Sequence, residues 1–546
     1  MIFDKLLSKK ASSVATAAVV IAIAGLLSRV LGIVRDRVLA GQFGAGNELD
    51  IYYAAFRIPD LLINLIALGA LSAGFIPIFI GLIKKEDDPN SPANKEAWSF
   101  VSNIINIIGV ILVFFGGILA VLSPWLVPLM TPGFSGEKLS MTITLTQILF
   151  LSPFILGISS ILGGVLQSFR QFLAFSLAPV MYNIGIIIGA KFFVQYWGLY
   201  GLAYGVILGA VLHLLIQLPG LIRLGWRPCW IFKPREKSFV QVLKLIGPRI
   251  LGLASGQVNF IVITVLASTI AAGSLAIFNL ANNLQSFPVS FFGVSFALAV
   301  FPLLSRHFAS GKEDEFQKSF LSTFKQILLF TIPFTALFII LRIQIVRVVL
   351  GAGKFNWTDT VLTADTLGIL CLSLFAQALL PLLVRVFYAR HNTLLPFWSS
   401  FISMLVNLAL SWYLIKVWGV MGLAFGFTIS QLVNVALLIV FLKFKVKDIW
   451  HDGLLSFSFK LTFAALIMGF VTQVTKTAVG TYVDMDRFWG VLTQGFVAGL
   501  VGLIVFIILA YAFKVEELIV FVASMKRKLL VKFRSDKETI IDEDLT

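Results

Sequence analysis

The chain has 546 residues, of which 58% are hydrophobic and only 13% are charged, and its formal net charge at pH 7 is +16. Soluble domains are nearer half apolar and a quarter charged, so this composition excludes an ordinary soluble protein and predicts a polytopic membrane protein. The apolar runs have the length of membrane-spanning helices, which excludes an outer-membrane barrel built from short alternating strands.

About fourteen apolar runs are long enough to cross a bilayer as helices, and we therefore predict an all-α fold. The predicted spans cover residues 14–40, 51–83, 98–130, 140–168, 173–195, 199–222, 240–270, 273–305, 320–350, 361–388, 394–416, 419–442, 455–480 and 488–513. The start of the chain, MIFDKLLSKK, resembles the beginning of a signal peptide. No small-residue cleavage site follows it, so we interpret the first span as a retained helix.

Lysine and arginine concentrate in the leader, in alternate connections and in the tail. These residues are Lys5, Lys9, Lys10, Arg223, Arg227, Lys233, Arg235, Lys237, Arg306, Lys312, Lys318, Lys443, Lys445, Lys447, Lys526, Arg527, Lys528, Lys532 and Arg534. With fourteen spans they all fall on one side. Because Lys and Arg mark the cytoplasmic side of membrane proteins, both termini are predicted to be cytoplasmic. The net charge of +16 then reflects loops that face anionic lipid, and no nucleic-acid partner is expected.

The sequence contains an internal repeat. WGLYGLAYG at 197–205 recurs as WGVMGLAFG at 418–426. A weaker match pairs LDIYYAAF at 49–56 with LAIFNLAN at 275–282, at nearly the same separation along the chain. Two nearly equal offsets indicate two halves in parallel orientation, although aromatic and glycine motifs also recur by chance in membrane proteins. Parallel repeats are typical of transporters whose substrate site lies between the halves.

The repeat predicts the domain organisation. Residues 1–236 and 237–446 would be two pseudo-symmetric six-helix lobes. Residues 447–514 would add an accessory helix pair outside the repeat. Residues 515–546 would form a basic amphipathic segment on the cytoplasmic surface and an acidic, disordered tail.

The second half of the first span carries four charged residues, although an ionisable side chain near the middle of a bilayer costs roughly 2.5–3.5 kcal/mol. They are Arg29, Arg35, Asp36 and Arg37. Helical spacing places Arg29 and Asp36 on one face with Gly25 and Gly32, and the glycines leave room beside the charges. Arg35 lies on an adjacent face with Ser28, and Arg37 is interpreted as an anchor near the outer edge.

The second span carries Asp50, Arg57 and Asn64 at intervals of seven residues, so these three share a helix face. One interpretation is a salt-bridge cluster near the outer edge, in which Arg35 pairs with Asp50 or Asp36 pairs with Arg57. Arginine nevertheless outnumbers aspartate across the first two spans. An excess of positive charge inside a hydrophobic protein indicates an anionic ligand, and the planar guanidinium group suits phosphate.

The eighth span carries a polar stripe at helical spacing. Its members are Asn279, Asn282, Asn283, Ser286 and Ser290. Pro288 interrupts the hydrogen-bond ladder and predicts a kink. By the repeat this span corresponds to the second one, so the stripe would face the first half and bind substrate. The alternative is that the stripe only supplies hydrogen bonds between helices.

No nucleotide-binding loop and no HExxH, GxSxG or paired CxxC motif occurs in the sequence, so we expect a transporter without its own ATPase and not an enzyme. Cys229 and Cys371 are far apart and the four histidines lack ligand spacing, so neither a disulfide nor a metal site is expected. No cofactor is predicted. Energy would come from a gradient, such as that of a monovalent cation, from the membrane potential or from the substrate's own gradient. Asn407 could help to hold such a cation, or it could serve packing.

Several segments carry a family resemblance. They are SRVLGIVRD (28–36), FGAGNELDIYYAAFRIPDLL (43–62), GALSAGFIPIF (69–79), QLPGLIRLGW (217–226) and FPVSFFGVSFALAVFPLLSRHFASG (287–311). They closely resemble the signature of the MurJ (MviN) lipid II flippases, a family of the MOP exporter superfamily. The similarity runs from about residue 11 to about residue 514.

The resemblance implies two six-helix lobes, a helix pair that forms a groove for a lipid tail, and alternating access in the bacterial cytoplasmic membrane. The substrate would be undecaprenyl-diphosphate-linked MurNAc-pentapeptide-GlcNAc, moved from the inner to the outer leaflet, and peptidoglycan-synthesis enzymes would be partners. Arg29 and Arg35 match two functional arginines of the family, and Asp36 and Asp50 match acidic positions beside them.

The chain also departs from the family pattern. The family usually has charged residues where this chain has Ile63, Asn64, Leu68, Asn282 and Asn283. Arg57 lies on the Asn64 face and would compensate for one of them. These departures leave two alternatives open: a flippase for another polyprenyl-diphosphate-linked oligosaccharide, or a non-transporting scaffold for envelope synthesis. A drug exporter of the MATE type is disfavoured, because such exporters favour cationic drugs and this cavity looks cationic.

Overall fold

The computed structural model describes residues 14–65, 75–84, 88, 91–445, 453–520 and 522–523. Within these residues the regular secondary structure is entirely helical, as predicted. Parts of the sequence-based predictions lie outside the described residues. These parts are the leader lysines, Leu68, Lys447 and nearly all of the segment after residue 520.

The helices before residue 224 account for the first six predicted spans. They are α1 (Val14–Phe43), α2 (Asn47–Ala55), α3 (Arg57–Ile63), α4 (Ile76–Leu82), α5 (Lys95–Met130), α6 (Gly136–Leu149), α7 (Leu151–Ser168), α8 (Phe172–Ile188), α9 (Val194–Trp197), α10 (Tyr200–Leu215) and α11 (Leu218–Arg223). A π-helical turn, Gly189–Phe193, joins α8 to α9.

The remaining helices account for the other eight predicted spans. They are α12 (Lys237–Ser268), α13 (Ser274–Pro288), α14 (Ser295–Ala309), α15 (Glu313–Ile340), α16 (Arg342–Leu350), α17 (Trp357–Cys371), α18 (Leu374–Ala389), α19 (Leu394–Trp418), α20 (Val420–Lys445), α21 (Gly453–Gly480) and α22 (Phe488–Ala512). Pro288 ends α13, and a π-helical turn over Val289–Val294 leads into α14. The change of hydrogen-bond pattern follows from Pro288, since proline has no N–H for the helical ladder, whereas the predicted kink stays a prediction.

The described residues of the second predicted span form more than one α-helix. The α-helix breaks at Phe56, between α2 and α3, and turns π-helical at residues 64–65. Pro59 explains the first break, because it cannot donate a hydrogen bond to the carbonyl oxygen of Ala55. The break places Arg57 in the first turn of a new helix.

The chain is a multi-pass membrane protein. Ten helical segments of the described residues are long and apolar enough to cross a membrane, and an eleventh is added if α17 and α18, which meet at 47°, form one span. The first predicted span is not among these ten segments. The all-α polytopic fold is therefore confirmed, whereas the count of fourteen spans stays a prediction.

The first compact unit contains the described residues of Met1–Leu284, Val349–Thr366 and Ser400–Phe427. Part of its core is aromatic: Phe75 stacks on Phe79 and on Phe100, with ring centroids 5.4 and 5.7 Å apart. Helix α10 packs backbone to backbone against α8 and the turn that follows it, since a β-carbon built on Gly205 would lie 3.1 Å from the carbonyl oxygen of Gly185 and 2.5 Å from the Cα of Gly189. Small residues allow such close approach of helices in membranes.

The second compact unit contains the described residues of Gln285–Val348, Leu367–Ser399 and Thr428–Thr546. Its apolar core draws on α14, α15, α18 and the accessory helices α21 and α22, and Phe316, Phe320 and Met468 are fully buried in it. These units do not share the limits of the lobes drawn from the repeat, and those lobes stay a prediction.

The repeat reappears in the local backbone. Gly198 and Gly419, which occupy equivalent positions in the two copies of the tryptophan–glycine motif, both adopt a positive φ, of 55° and 54°. Arg170 and His391 have the same separation in sequence and adopt φ angles of 60° and 56°, which non-glycine residues rarely do. One offset therefore relates unusual backbone conformations as well as sequence motifs.

The helix ends before Arg170 and His391 share one capping pattern. The amide of Gln171 donates to the carbonyl oxygen of Leu166 at 2.8 Å, and the amide of Asn392 donates to that of Phe387 at 2.9 Å. Each is the bond that defines a Schellman motif, in which a left-handed residue closes the last turn.

Candidate functional site

The glycine face of α1 is open, as the sequence predicted. A β-carbon built on Gly25 or on Gly32 would meet no atom of the described structure within 4 Å. The side chain of Arg29 lies between these glycines along the helix and is partly exposed. The open face therefore leaves space for a ligand beside a cation.

Arg35 forms an ion pair with its neighbour Asp36 on α1 and also a hydrogen bond that joins α1 to α8. Arg35 donates from Nε and Nη2 to Oδ1 of Asp36, at 3.0 and 2.8 Å, and from Nη1 to Oδ1 of Asn183 at 3.1 Å. Asn183 in turn donates to the backbone oxygens of Ser28 and Pro179. The guanidinium group is thus held in a fixed position, and its charge is balanced by a buried carboxylate.

The polar stripe of the eighth span reaches this pair. Asn283 donates its side-chain amide to Oδ2 of Asp36 at 3.1 Å. Asp36 is 6% exposed, so its two carboxylate oxygens accept hydrogen bonds from different helices in a nearly closed environment. Asn283 therefore makes the contact that was predicted between this stripe and the first spans.

Arg57, on the second span, is the centre of a second hydrogen-bond network. Its Nε donates to the hydroxyl oxygen of Thr264 on α12 at 2.8 Å, and its Nη2 donates to Oδ1 of Asn279 on α13 at 2.6 Å. Its guanidinium carbon also lies 5.4 Å from the ring centre of Phe260. Within the described residues both hydrogen-bond acceptors of Arg57 are neutral. No carboxylate of the described residues is hydrogen-bonded to this cation.

Asp50 forms a set of contacts that includes neither Arg35 nor Arg57. Its Oδ2 pairs with Nζ of Lys138 at 2.9 Å and accepts from the amide of Gly273 at 2.8 Å, while Oδ1 accepts from the amide of Ala276 at 3.0 Å. At 2% exposure Asp50 is enclosed by these donors at the start of α13. Its predicted substrate contact stays a prediction, and the structure gives it a structural link.

The alternative ion pairs considered from the sequence are wrong. Asp50 pairs with Lys138 and not with Arg35, and Asp36 pairs with Arg35 and not with Arg57. Helical periodicity could define the faces of the first two spans. It could not include a partner on α6, because Lys138 lies in a different part of the sequence.

The remaining predicted residues have fewer assigned contacts. Asn64 lies in the π-helical stretch at residues 64–65, after which residues 66–74 lie outside the described structure. The side chain of Asn282 is half-buried and makes no hydrogen bond within the described residues. Ser286 is exposed on the last turn of α13 and belongs to the second compact unit.

Three residues of these networks escaped prediction. They are Asn183, Thr264 and Lys138. Asn183 had a detectable signal, because it is the single amide side chain in the apolar run of α8. Thr264 had none, since threonine in a membrane helix commonly bonds its own backbone, as it also does here to Phe260.

The fold and the site define a class: an all-helical, multi-pass membrane transporter that keeps arginine side chains positioned within its spans. The fold is similar to the inward-facing conformation of a multidrug resistance MATE family transporter of the MOP superfamily, with a TM-score of 0.62 at 14% identity, covering 79% of this chain and 98% of that one. At this identity the likeness establishes the fold alone.

The family follows from closer matches. The family model "Lipid II flippase MurJ" matches residues 39–493, and the chain belongs to this family. A solved structure of "Lipid II flippase MurJ, inward closed conformation" is similar with a TM-score of 0.75 and 26% identity, covering 91% of this chain and 99% of that one. A relative from Buchnera aphidicola subsp. Acyrthosiphon pisum (strain APS), named "Probable lipid II flippase MurJ", is 29% identical over 417 residues, covering 76% of this chain and 80% of the relative. The resemblance seen in the sequence is confirmed.

Proposed function

We propose that this chain moves lipid II from the inner to the outer leaflet of the bacterial cytoplasmic membrane by alternating access. Membership of the lipid II flippase family supports this substrate. The observation within the structure that carries the proposal is Arg57, a positioned guanidinium group whose hydrogen-bond acceptors, Thr264 and Asn279, are neutral. Phosphate oxygens can replace such acceptors without leaving a carboxylate unpaired.

The energetic problem is the headgroup. Its diphosphate and sugars cannot enter hydrocarbon, because charged and polar groups would lose their hydration. Arginine replaces part of that hydration through charge-assisted, bidentate hydrogen bonds. The open face beside Arg29 offers the room, and the half-buried Asn282 offers a polar contact for sugar or peptide. The prenyl tail stays in lipid, guided by the accessory helices α21 and α22.

Arg35 acts differently from Arg57 in this proposal. It can reach phosphate only by leaving Asp36, whose other oxygen is still held by Asn283. Because Arg35 also donates to Asn183, a movement of its guanidinium group toward phosphate would weaken a link between α1 and α8. This gives the diphosphate a means of changing how the helices are tied together.

For the energy source we propose the membrane potential, with no ATP hydrolysis in this chain. Asn407, considered as a cation ligand, donates to Oδ1 of Asn259 at 2.7 Å and accepts from the hydroxyl of Ser411 at 2.9 Å. All three groups are neutral, and their hydrogen bonds to one another favour a packing role. Among the described residues no cluster of three or more His, Cys, Asp or Glu side chains could hold a metal ion. A monovalent cation remains the alternative driving ion.

The proposal includes an orientation and partners. Both termini would be cytoplasmic, because the basic connections would then face the anionic inner side of the membrane. Enzymes that synthesise and polymerise peptidoglycan precursors would act before and after this step. Labelling of engineered cysteines by a membrane-impermeant reagent in whole cells would test the orientation.

The proposed function is tested by asking whether this chain can replace the lipid II flippase of a bacterial strain. A strain depleted of its own lipid II flippase would receive this chain, and lipid II reaching the outer leaflet would be measured. We expect rescue by the natural chain and its loss in Arg29→Ala and Arg35→Ala, with the variant proteins still in the membrane. Arg487→Ala serves as the control, since Arg487 is exposed and pairs only with the nearby Asp484 among the described residues. Rescue by both site variants would contradict the role of the arginines.

Three neutral residues favour a second candidate function, because the family usually has charged residues at these positions. They are Asn64, Asn282 and Asn283. The second candidate is a flippase for another polyprenyl-diphosphate-linked oligosaccharide. Failure to rescue lipid II transport, combined with transport of such a glycolipid in proteoliposomes, would select it. If the chain folds and inserts but moves neither substrate, the result would favour the alternative of a non-transporting scaffold for envelope synthesis.

A further inference from the structure

The connection between the sixth and seventh spans is fastened to α5. Asn103 donates to the carbonyl oxygen of Lys233 at 3.1 Å and to Oε2 of Glu236 at 2.8 Å, and it accepts from the amide of Lys233 at 2.7 Å. Asn106 donates to the two carbonyl oxygens on either side of Trp230, at 2.8 and 3.1 Å. Two asparagines of a membrane helix thus fix the backbone of this connection, whose residues 227–235 we name the connector arm.

The connector arm turns its aromatic side chains outward. Trp230 is 77% exposed and Phe232 is 46% exposed, whereas the neighbouring Trp226 is only 9% exposed and packs in the core. The arm also carries exposed basic side chains. They are Arg227, Lys233 and Arg235. A connection that merely linked two helices would not need a fixed backbone that presents tryptophan, phenylalanine and three cations.

The position of the arm along α5 indicates what it meets. From Lys95, where α5 begins, Asn103 and Asn106 are roughly 12 and 16 Å along the helix at 1.5 Å per residue. The uninterrupted apolar run of α5 begins at Ile107, directly after Asn106. The arm therefore lies at the level where the headgroup region gives way to hydrocarbon, which is the level that tryptophan side chains prefer.

We propose that the connector arm binds the surface of an anionic phospholipid leaflet. Trp230 and Phe232 enter the boundary between headgroups and acyl chains, and Arg227, Lys233 and Arg235 meet the lipid phosphates. Because the arm is hydrogen-bonded to α5, this contact holds that end of the first six spans at the membrane surface. Charge complementarity selects anionic lipid over a zwitterionic surface.

The natural cysteines allow a direct test. Cys229 is exposed within the arm and Cys371 is buried, so a nitroxide reagent labels Cys229 selectively. The labelled full-length chain would be reconstituted into phosphatidylcholine vesicles with or without phosphatidylglycerol, and the depth of the label measured by power-saturation electron paramagnetic resonance. With phosphatidylglycerol we expect a depth of about 5–10 Å below the headgroups, as for other interfacial segments. No lipid II is present, so the result is independent of the proposed transport activity.

Variants separate the contribution of the aromatic side chains of the connector arm from that of its basic side chains. Trp230→Ala combined with Phe232→Ala should move the label into water, and Arg227→Gln with Lys233→Gln and Arg235→Gln should abolish the effect of phosphatidylglycerol. Phe444→Ala is the matched control, because Phe444 is an 82% exposed aromatic residue near the end of α20, outside the arm. A label fully exposed to water in both vesicles would overturn the proposal and leave this surface to a protein partner. Equal depth in both vesicles would overturn the selectivity for anionic lipid.

Discussion

Arg57 donates from Nη2 to Oδ1 of Asn279 at 2.6 Å, so a cation of the second span is held by a neutral residue of the eighth. If this cation binds the diphosphate, Arg57→Ala should abolish rescue of a flippase-depleted strain. Arg57→Lys should retain part of the activity, because lysine keeps the charge but lacks the planar fork. The measurement is lipid II in the outer leaflet at equal amounts of membrane-inserted protein. Full activity of Arg57→Ala would remove Arg57 from the site.

The contact between Asn283 and Asp36 predicts whether a replacement of Asn283 lowers the stability of the protein. Asn283→Asp would replace a donor by a second carboxylate about 3 Å from Asp36, and like charges this close in a nearly dry environment repel strongly. We expect a lower midpoint of thermal unfolding in detergent and loss of transport. Asn283→Arg keeps a donor toward Asp36 and should leave the chain folded. Equal stability of Asn283→Asp and Asn283→Ala would show that the carboxylates do not face each other.

Asp50 allows structural and substrate roles to be separated. Asp50→Ala leaves Lys138 without its ion-pair partner and removes the acceptor of the Gly273 and Ala276 amides, so we expect a loss of about 3 kcal/mol in stability. Asp50→Asn combined with Lys138→Met removes both charges and keeps one acceptor for these amides, so it should recover part of that loss. Thermal unfolding in detergent measures the recovery. Rescue by the double variant would assign Asp50 a structural role, and a folded double variant without activity would assign it substrate contact.

Periodicity predicted the right faces but not the right partners. The spacing of Arg29, Asp36 and the flanking glycines identified the open face of α1, and the repeat placed the stripe of the eighth span near the first two spans. The ion pair of Arg35 with Asp36 was not foreseen, because adjacent helical residues do not ordinarily face each other. The long arginine side chain reaches back to its neighbour, and the position of α8 beside α1 makes this geometry favourable.

The other unpredicted contacts depend on how separate helices pack. Lys138 and Thr264 contact the site through the placement of α6 and α12, which no local pattern encodes. The break of the second span at Phe56 is different, because Pro59 was visible in the sequence and its effect on the ladder is general. The local sequence therefore contains the information for the break in the second span but not for the contacts of Lys138 and Thr264.

The backbone contact between α8 and α10 gives the last prediction. A β-carbon on Gly205 would lie 2.5 Å from the Cα of Gly189 and 3.1 Å from the carbonyl oxygen of Gly185, and backbone atoms cannot move aside as a side-chain end can. Gly205→Ala should therefore separate the helices and destabilise the protein by about 1–3 kcal/mol, the range for overpacked cores. Gly117→Ala is the control, since the added methyl group meets nothing within 4 Å in the described structure and alanine favours helix. The midpoint of thermal unfolding in detergent should fall for Gly205→Ala and hold or rise for Gly117→Ala. If both variants behaved alike, the glycines would reflect helix composition and not the close approach of α8 and α10.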